Sequence, residues 1–229
     1  MANFFLPLLA GTTDFGPLTL RTRAPVLIPR PETAHITQLL ADSILEEQSQ
    51  PGHEGGLEVV DLCIGSGCIA LLLGHLLGPR VKRIRGYDIS SEAISLAKDN
   101  VRSHGMNNVQ IKLGDIFDTT LVDEIGKVDL VVSNPPYIPS NQWEGLPSSV
   151  RNHEDKVALL GGGEKGLAFY ERIAEMIPHL LKPNGRVAVE VGPGQAQDVA
   201  EILQRRGGLG RTDVWHDQFG RKRMVVGWQ

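Results

Sequence analysis

The sequence predicts an α/β fold in which helices cover both faces of a twisted, mostly parallel β-sheet. Between residues 57 and 205, short apolar runs of strand length alternate with segments of helical periodicity. Strands that are buried on both faces and separated by helices are typical of doubly wound parallel sheets. The last two strand-like runs, 211–215 and 223–228, can pair as a hairpin, which predicts an antiparallel strand in this sheet. The 229 residues suffice for one substantial domain of this kind.

The predicted elements follow one another in a regular order. Alternation within 17–28 predicts a β-hairpin or two short strands, so we assign residues 1–30 to a β-hairpin extension and 31–229 to the main domain. Pro31 suits the first turn of a helix, and residues 48–56 are polar and glycine-rich, as in a linker. The other predicted strands are 57–62, 81–88, 109–113, 128–133 and 185–191, and the predicted helices are 68–77, 91–104, 166–181 and 195–205.

Composition narrows the classes of function. The formal net charge of −4 argues against a broad phosphate-binding surface, so we expect no direct nucleic-acid binding. No apolar run reaches the length of a membrane span, so we expect no membrane association. Cys63 and Cys68 cannot form a metal cluster alone, and the seven histidines lack ligand spacing, so no metal site is expected. Cysteines used as small packing residues favour a reducing compartment.

The most informative motif is Asn134-Pro135-Pro136-Tyr137, which follows a run that predicts a buried strand. The prolines fix the backbone and donate no hydrogen bond. The side-chain amide of Asn134 and the carbonyl of Pro135 are therefore free to hold a planar NH₂ group, and Tyr137 offers a flat face against it. The motif suits a reaction on an amide or amino nitrogen.

A glycine-rich loop over residues 63–67 joins the first strand of the main domain to a helix. Glycine lets the backbone approach a ligand closely, and the helix start offers unpaired N–H groups. Two interpretations compete for this loop. Residues 65–70 match the dinucleotide-binding fingerprint, with an acid about twenty residues further on. Alternatively, the loop holds the amino-acid part of S-adenosylmethionine, with Asp61 beside it.

Acidic residues at strand ends favour the second interpretation. Asp61, Asp88 and Asp115 each stand at or just after the end of a predicted strand. Asp88 can accept both ribose hydroxyls of a nucleoside, and Asp115 can accept the adenine amino group while Ile116 or Phe117 covers the ring. Three acids in this arrangement describe an adenosyl site better than a pyrophosphate site.

These motifs occur in the order found in a known family. The segments 27–33 (Leu-Ile-Pro-Arg-Pro-Glu-Thr), the glycine loop and 133–138 (Ser-Asn-Pro-Pro-Tyr-Ile) together resemble the release factor glutamine N5-methyltransferases of the HemK/PrmC type. The resemblance extends over nearly the whole chain, since similar segments of that family fall at 158–162, 166–170, 190–192 and 217–221. It implies that residues 31–229 form a Rossmann-like class I methyltransferase domain that depends on S-adenosylmethionine.

The resemblance also implies roles for individual residues. The reaction would transfer a methyl group to the side-chain nitrogen of the glutamine in the Gly-Gly-Gln loop of a class I peptide chain release factor. Asn134, Pro135, Pro136 and Tyr137 would be the catalytic motif, and Arg30 would join Asn134, Pro135 and Tyr137 in binding the substrate. The turn 30–33 would pack over the site. The residues implied to bind the cofactor are Thr33, Asp61, Cys63, Gly65, Ser66, Gly67, Asp88, Ile89, Asp115, Ile116 and Asn134.

Three departures from the family pattern modify these expectations. Cys63 replaces a glycine that is usual in bacterial members, which indicates a fungal or mitochondrial relative. We therefore expect a mitochondrial location, with the cytoplasm as the alternative, although the first residues lack the Arg-rich pattern of a transit peptide. Residues 153–156 replace the usual substrate-side stretch. A small helical domain normally precedes the hairpin, and we expect it to be absent here.

Other functions remain open on the sequence. An adenine-N6 methyltransferase acting on DNA or RNA needs the same amino-holding motif, but it should also have a basic face or a recognition domain. A non-catalytic adenosyl-binding adaptor would fit the absent helical domain, but not the intact motif. A nicotinamide dehydrogenase is a distant third, because no acid or base marks a hydride-transfer site. Residues 138–165 form a long irregular stretch, where we expect substrate contacts that include Trp143.

Overall fold

A computed structural model describes residues 10–48, 56–152 and 154–229. A small two-stranded sheet comes first, and a seven-stranded sheet flanked by helices follows. The strands are β1 (Thr12–Phe15), β2 (Leu18–Arg21), β3 (Leu57–Leu62), β4 (Val81–Asp88), β5 (Val109–Leu113), β6 (Val128–Ser133), β7 (Leu181–Glu190), β8 (Arg211–His216) and β9 (Lys222–Trp228). The helices are α1 (Pro31–Gln48), α2 (Cys68–Leu77), α3 (Ser91–Ser103), α4 (Leu121–Ile125), α5 (Ser148–Arg151), α6 (Lys156–Leu159), α7 (Ala168–Leu180) and α8 (Ala196–Arg205), with 3₁₀ turns at Gly78–Arg80 and Ser140–Gly145.

The large sheet confirms the predicted α/β class. Its strand order is β5-β4-β3-β6-β7-β9-β8, and the first five strands of that order are parallel. β9 runs antiparallel to both β7 and β8, which confirms the predicted hairpin at the end of the sheet. The order reverses between β3 and β6, and in open α/β sheets ligands bind at the carboxyl ends of the strands beside such a reversal.

Alternating side chains of the sheet support two separate cores. On one face, α1, α2 and α3 pack over Val59, Leu130 and Ala188. On the other face, α4, α7 and α8 pack over Val60, Val131 and the strands beside them. Successive residues of a strand point to opposite faces, so near-continuous apolar runs such as 128–132 are needed to fill both cores. The burial of both faces fixes the register of the strands and therefore the positions of their carboxyl ends.

The amino-terminal hairpin lies earlier in the chain than the sequence predicts. Its strands are β1 and β2, so the prediction of strand structure over 17–28 is wrong for residues 22–28, and the first strand precedes residue 17. Asn100 of α3 fixes the end of this hairpin: its Oδ1 accepts a hydrogen bond from the Arg21 N–H at 2.8 Å, and its Nδ2 donates to the Ser66 carbonyl at 2.9 Å. One buried amide thus joins the hairpin to the glycine loop.

Other boundaries differ in smaller ways. β7 begins at Leu181 instead of residue 185, α7 begins at Ala168 instead of 166, and α4 is not predicted at all. The stretch 138–165 is less irregular than expected, since it holds the 3₁₀ turn Ser140–Gly145 and the short helices α5 and α6. Most of the predicted linker 48–56 lies outside the described residues. No helix in the described part of the chain is long and apolar enough to cross a membrane.

Candidate functional site

A cleft of about 760 Å³ lies at the carboxyl ends of the parallel strands and opens to solvent. It gathers residues that are far apart in the chain, from the loops that follow β3, β4, β5 and β6. The sequence-predicted residues that line it are Cys63, Gly65, Asp88, Ile89, Asp115, Ile116, Asn134 and Pro136.

The loop after β3 adopts a backbone conformation that explains its glycines. Gly65 and Gly67 have φ angles of 55° and 84°, in the left-handed region that favours glycine. Cys63 also has a positive φ, of 59°, which is uncommon for a residue with a side chain. The loop is held from β4, because the Gly65 N–H donates to Oδ2 of Asp88 at 2.9 Å. The turn therefore presents its backbone to the cleft in a fixed position.

Asp88 has two roles: it holds the glycine loop by a hydrogen bond, and it lines the cleft. Its Oδ1 accepts a hydrogen bond from the Ser90 N–H at 2.9 Å, in addition to the bond from Gly65. Burial raises the pKa of this carboxyl, although the hydrogen bonds oppose that effect. Each carboxylate oxygen can accept more than one hydrogen bond, so Asp88 retains capacity for hydroxyl groups of a ligand.

Asp61 lies behind the loop and not in the wall of the cleft. It is 1% exposed, and its Oδ2 accepts from the Ala70 N–H at 3.2 Å. Its Oδ1 is buried without a hydrogen-bond partner among the described residues, and burial raises the pKa well above the ordinary value for aspartate. An unsatisfied buried carboxyl oxygen is costly, so this position suits a ligand that brings a positively charged donor to the loop. Ser66 and Gly67 likewise belong to the loop without lining the cleft.

Several apolar side chains line the cleft. The Phe169 ring lines it and meets Phe117 edge-on, with ring centroids 5.2 Å apart. Ile89 and Val157 also line it and remain 58% and 61% exposed, which is unusual for aliphatic side chains. Asp115 stands beside this apolar wall, where its Oδ1 accepts from the Phe117 N–H at 2.9 Å. Apolar walls with one acceptor suit an aromatic base that carries an amino group.

A second pocket of about 560 Å³ adjoins the first. Asn134, Pro136, Leu27 and Ala158 line both pockets and therefore form the partition between them. The residues that line only the smaller pocket are Arg30, Pro135, Tyr137, Ile138, Leu146, Val150, Leu159 and Glu190. Two residues of the predicted motif, Asn134 and Pro136, can therefore contact molecules on both sides, and Asn134 alone of the two has a polar side chain.

The motif is held by the chain segments around it. The Tyr137 and Ile138 N–H groups both donate to the Leu159 carbonyl, at 3.2 and 2.8 Å. Gln195 donates from Nε2 to the Tyr137 carbonyl at 2.8 Å, while its Oε1 accepts from the Gly192 N–H at 3.0 Å. These hydrogen bonds fix the backbone of the motif. Burial raises the pKa of Tyr137 to about 12, so its phenol stays neutral at physiological pH.

Arg30 and Thr33 both lie on the side of the smaller pocket. Arg30 pairs with Glu154 at 2.6 Å, and burial raises the pKa of that 6% exposed carboxyl. Thr33 donates a hydrogen bond to Oε2 of Glu190 at 2.6 Å, and it is not among the residues that line the larger cleft. The predicted contact of Thr33 with the cofactor stays a prediction, while its observed neighbour is a residue of the second pocket.

Sequence reasoning assigned no role to several residues of these pockets. Glu190 ends a parallel strand as Asp88 does, and this shared position was the signal that could have identified it. Gln195 and Phe169 carried no such signal, since their roles depend on contacts across the sheet. Trp143 lines neither pocket; Lys156 Nζ lies 5.1 Å from its ring centroid. No group of potential ligands among the described residues could hold a metal ion.

Comparison with solved structures places this geometry in a known fold. The catalytic domain of hMettl16, in complex with MAT2A 3′UTR hairpin 6, superposes with a TM-score of 0.67 at 20% identity, over 94% of this chain and 76% of that one. SMU.776, described as a putative methyltransferase complexed with SAH, superposes with a TM-score of 0.62 at 11% identity, over 95% and 55%. At such low identities, these likenesses establish the fold alone.

Sequence comparison identifies the family as well as the fold. The family described as "Methyltransferase domain" matches residues 53–214. The release factor glutamine methyltransferase of Bacillus anthracis is 39% identical over 87% of this chain and 68% of its own length. That of Streptococcus pneumoniae is 36% identical over 95% of this chain and 72% of its own length. Identity at this level, over most of this chain and about two thirds or more of each relative, shows that the chain belongs to the release factor glutamine methyltransferase family.

Proposed function

We propose that this protein methylates the side-chain nitrogen of a glutamine, taking the methyl group from S-adenosylmethionine, and that the glutamine belongs to the Gly-Gly-Gln loop of a class I peptide chain release factor. The observation that carries the proposal is the pair of pockets that meet at Asn134. One pocket suits a nucleoside with an aromatic base, and the other is lined by the motif that can hold an NH₂ group. A group-transfer enzyme needs two such sites with one boundary.

The larger cleft fits the cofactor on several grounds. Asp88 can hold ribose hydroxyls, Asp115 with the Phe169 wall suits adenine, and Asp61 offers an unpaired buried oxygen for an ammonium group. Ile89 and Val157 would lose their exposed apolar surface beneath a ligand. When bound there, S-adenosylmethionine supplies an electrophilic methyl group on a sulfonium.

The smaller pocket prepares the nucleophile. An amide nitrogen attacks poorly because its lone pair is delocalised into the carbonyl group. The side-chain oxygen of Asn134 and the carbonyl of Pro135 would each accept one N–H, which orients the nitrogen toward the partition. Acceptors at those N–H groups also favour the positive charge that develops on nitrogen. Fixed orientation supplies much of the remaining rate enhancement.

The alternatives receive less support. An adenine methyltransferase would use the same motif, but the net charge of −4 offers no general attraction for nucleic acid. An adaptor that only binds the cofactor would have no need for the Asn134 partition or for the fixed backbone around Tyr137.

Mass spectrometry of candidate substrates tests the proposal. The protein would be incubated with S-adenosylmethionine and, separately, an intact class I release factor, the same factor with the Gly-Gly-Gln glutamine changed to alanine, and an adenine-containing oligonucleotide. We expect one added methyl group on the intact factor alone. Methylation of the oligonucleotide would overturn the assignment in favour of a nucleic-acid enzyme. Bound cofactor with no methylated product would overturn it in favour of an adaptor.

A further inference from the structure

Glu190 is a buried carboxyl group in the wall of the substrate-side pocket. It ends β7, directly beside the strand that precedes Asn134, and it is only 2% exposed. It lines the smaller pocket together with Asn134, Pro135 and Tyr137. A carboxyl group is rarely placed so deep unless it is paired or has a function. The mechanism described above does not use it.

The contacts of Glu190 fix its position and leave part of it available. Its backbone carbonyl accepts a hydrogen bond from the Tyr170 hydroxyl at 2.9 Å, and its backbone pairs with Met224 of β9. Oε2 accepts from the Thr33 hydroxyl at 2.6 Å. The other carboxyl oxygen, Oε1, accepts no hydrogen bond from the described residues, so it has capacity for a donor bound in the pocket. The side chain is oriented before any substrate arrives.

No ion pair neutralises Glu190 within the described part of the chain. Arg30 pairs with Glu154 at 2.6 Å, and Arg223 lies 3.6 Å from Asp217, so both nearby guanidinium groups have other carboxylate partners. Burial raises the pKa of Glu190 to about 7, and the Thr33 hydrogen bond opposes that rise. The titratable and charged groups that face Glu190 from the elements around it are Arg30, Glu32, Cys68, Tyr137, Tyr170 and Arg223.

We propose that the carboxylate of Glu190 acts on the substrate amide, by stabilising the positive charge that grows on its nitrogen and by accepting the proton that this nitrogen releases. The inference rests on the proposed glutamine methylation. A negative charge on the substrate side favours movement of positive charge across the partition, and a preorganised charge in a buried site acts more strongly than one in water.

The step balances without a further reactant. The amide nitrogen uses its lone pair to form the new N–C bond, while the S–C bond breaks and leaves its electron pair on sulfur. The positive charge passes to nitrogen, which then releases one of the N–H protons held by Asn134 and Pro135 to Oε1 of Glu190 in the same pocket. The products are N5-methylglutamine, the neutral thioether and a protonated Glu190, which returns its proton to solvent.

The first test replaces Glu190 with glutamine. Glu190→Gln preserves the shape of the side chain and an oxygen for the Thr33 hydroxyl, but removes the charge and the proton acceptor. We expect kcat on the intact release factor to fall about 100-fold at pH 8, a size common for general base catalysis, with the dissociation constant for S-adenosylmethionine unchanged. Wild-type kcat should rise with pH through a midpoint near 7, and the variant should lose this dependence. Glu201→Gln, on the exposed face of α8, makes the same charge change away from both pockets and should behave as wild type.

A second test shifts the pKa of Glu190 while the residue itself stays glutamate. Thr33→Val removes the hydrogen bond that favours the ionised form, so the pKa should rise and the acid limb of the kcat profile should shift to higher pH. Thr37→Val is the matched control, because Thr37 is buried one turn later in α1 and its hydroxyl donates to the Thr33 carbonyl and not to Glu190. In protein labelled with ¹³C at glutamate carboxyl carbons, one resonance should titrate near pH 7, move upward in Thr33→Val and vanish in Glu190→Gln.

The outcomes separate this inference from the proposed function. If wild type methylates the release factor and Glu190→Gln keeps its kcat and its pH profile, Glu190 has no part in the reaction. If Glu190→Gln loses activity but also binds the cofactor weakly, with no change in the acid limb, the role is structural and the inference is wrong. If wild type itself methylates no glutamine, the proposed function fails, and the inference fails with it.

Discussion

At the scale of single residues, the partition between the pockets concentrates the chemistry on Asn134. Its neighbours Pro135 and Pro136 are buried and cannot donate hydrogen bonds, whereas Asn134 is half-buried and reaches both cavities. The residue follows β6, where the Ser133 hydroxyl donates to the Leu62 carbonyl at 2.6 Å and joins β6 to β3. The side chain that orients the nucleophile is thus attached to the two central strands of the sheet.

Replacing Asn134 with alanine should separate chemistry from cofactor binding. Asn134→Ala removes one of the two acceptors for the substrate NH₂ group, and we expect kcat to fall by at least about 100-fold, as for the loss of a transition-state hydrogen bond. The dissociation constant for S-adenosylmethionine should change by less than about threefold, because most of the cleft wall remains. Methylation of the intact release factor and isothermal titration calorimetry measure the two quantities.

An asparagine remote from the pockets provides the control for this substitution. Asn107 is exposed in the turn between α3 and β5, and Asn107→Ala should change neither quantity. Near-normal turnover by Asn134→Ala would mean that the amide of this residue does not hold the substrate.

At the scale of elements, the motif depends on a glycine-rich segment that packs against its backbone. A Cβ built on Gly161 would lie 2.7 Å from Tyr137 Cα and would also clash with the Gly166 carbonyl. The Gly161 N–H donates to the Ile138 carbonyl at 3.0 Å, and Gln195 bonds the Tyr137 carbonyl from the opposite direction. The geometry of the motif is therefore set jointly by the segments that follow β6 and β7.

Adding one methyl group to this contact should displace the motif. Gly161→Ala forces backbone to move in a close-packed region, and we expect a loss of about 1–3 kcal/mol in the free energy of unfolding together with a kcat lower by at least about tenfold. Gly145→Ala is the matched control in the same part of the chain, since a Cβ there meets nothing within 4 Å. Chemical denaturation and the methylation assay report both effects. Equal behaviour of the two variants would show that the close approach of Gly161 does not position the motif.

Elements with strong apolar patterns could be predicted from the sequence, and those set by tertiary contacts could not. The bounds of β3, β4, β5 and β6 are confirmed: β3 and β6 are mostly apolar runs, whereas β4 and β5 intersperse apolar residues with polar and charged ones. β1 escaped prediction because three of its four residues are polar, with only Phe15 buried. The start of β7 was missed because Lys182-Pro183-Asn184-Gly185 has the composition of a turn, yet it continues a strand across a register shift.

The same distinction applies to the candidate site. Asp88 and Asp115 could be placed from the chain order alone, because every parallel strand ends at the same edge of the sheet. The end of β7 offered the same signal for Glu190, but its place in the substrate-side pocket depends on β7 lying beside β6, which the linear sequence does not reveal. At Cys63, the structure explains a feature of the sequence. The residue has a positive φ, so glycine suits the position, and the resemblance marks it as glycine in bacterial relatives.

At the scale of the whole molecule, the strand order brings both pockets to one edge of the sheet. β3, β4 and β5 supply the walls of the larger cleft, and β6 and β7 supply those of the smaller pocket, so the partition coincides with the reversal of strand order. Each strand is fixed by cores on both faces, so the positions of the two pockets relative to each other are fixed as well. Ligands bound at this edge should therefore stabilise the entire sheet and not a single loop.

Thermal unfolding tests this coupling of the cleft to the fold. A ligand at 100 times its dissociation constant stabilises the native state by about 2.7 kcal/mol, which for a chain of this size raises Tm by roughly 5–10 °C. We expect such a rise with S-adenosylhomocysteine. Asp88→Asn should abolish most of it at the same ligand concentration, because Asp88 both lines the cleft and holds Gly65. Asp123→Asn, on the exposed side of α4, should leave the rise intact. An equal rise in wild type and Asp88→Asn would show that Asp88 does not hold the cofactor.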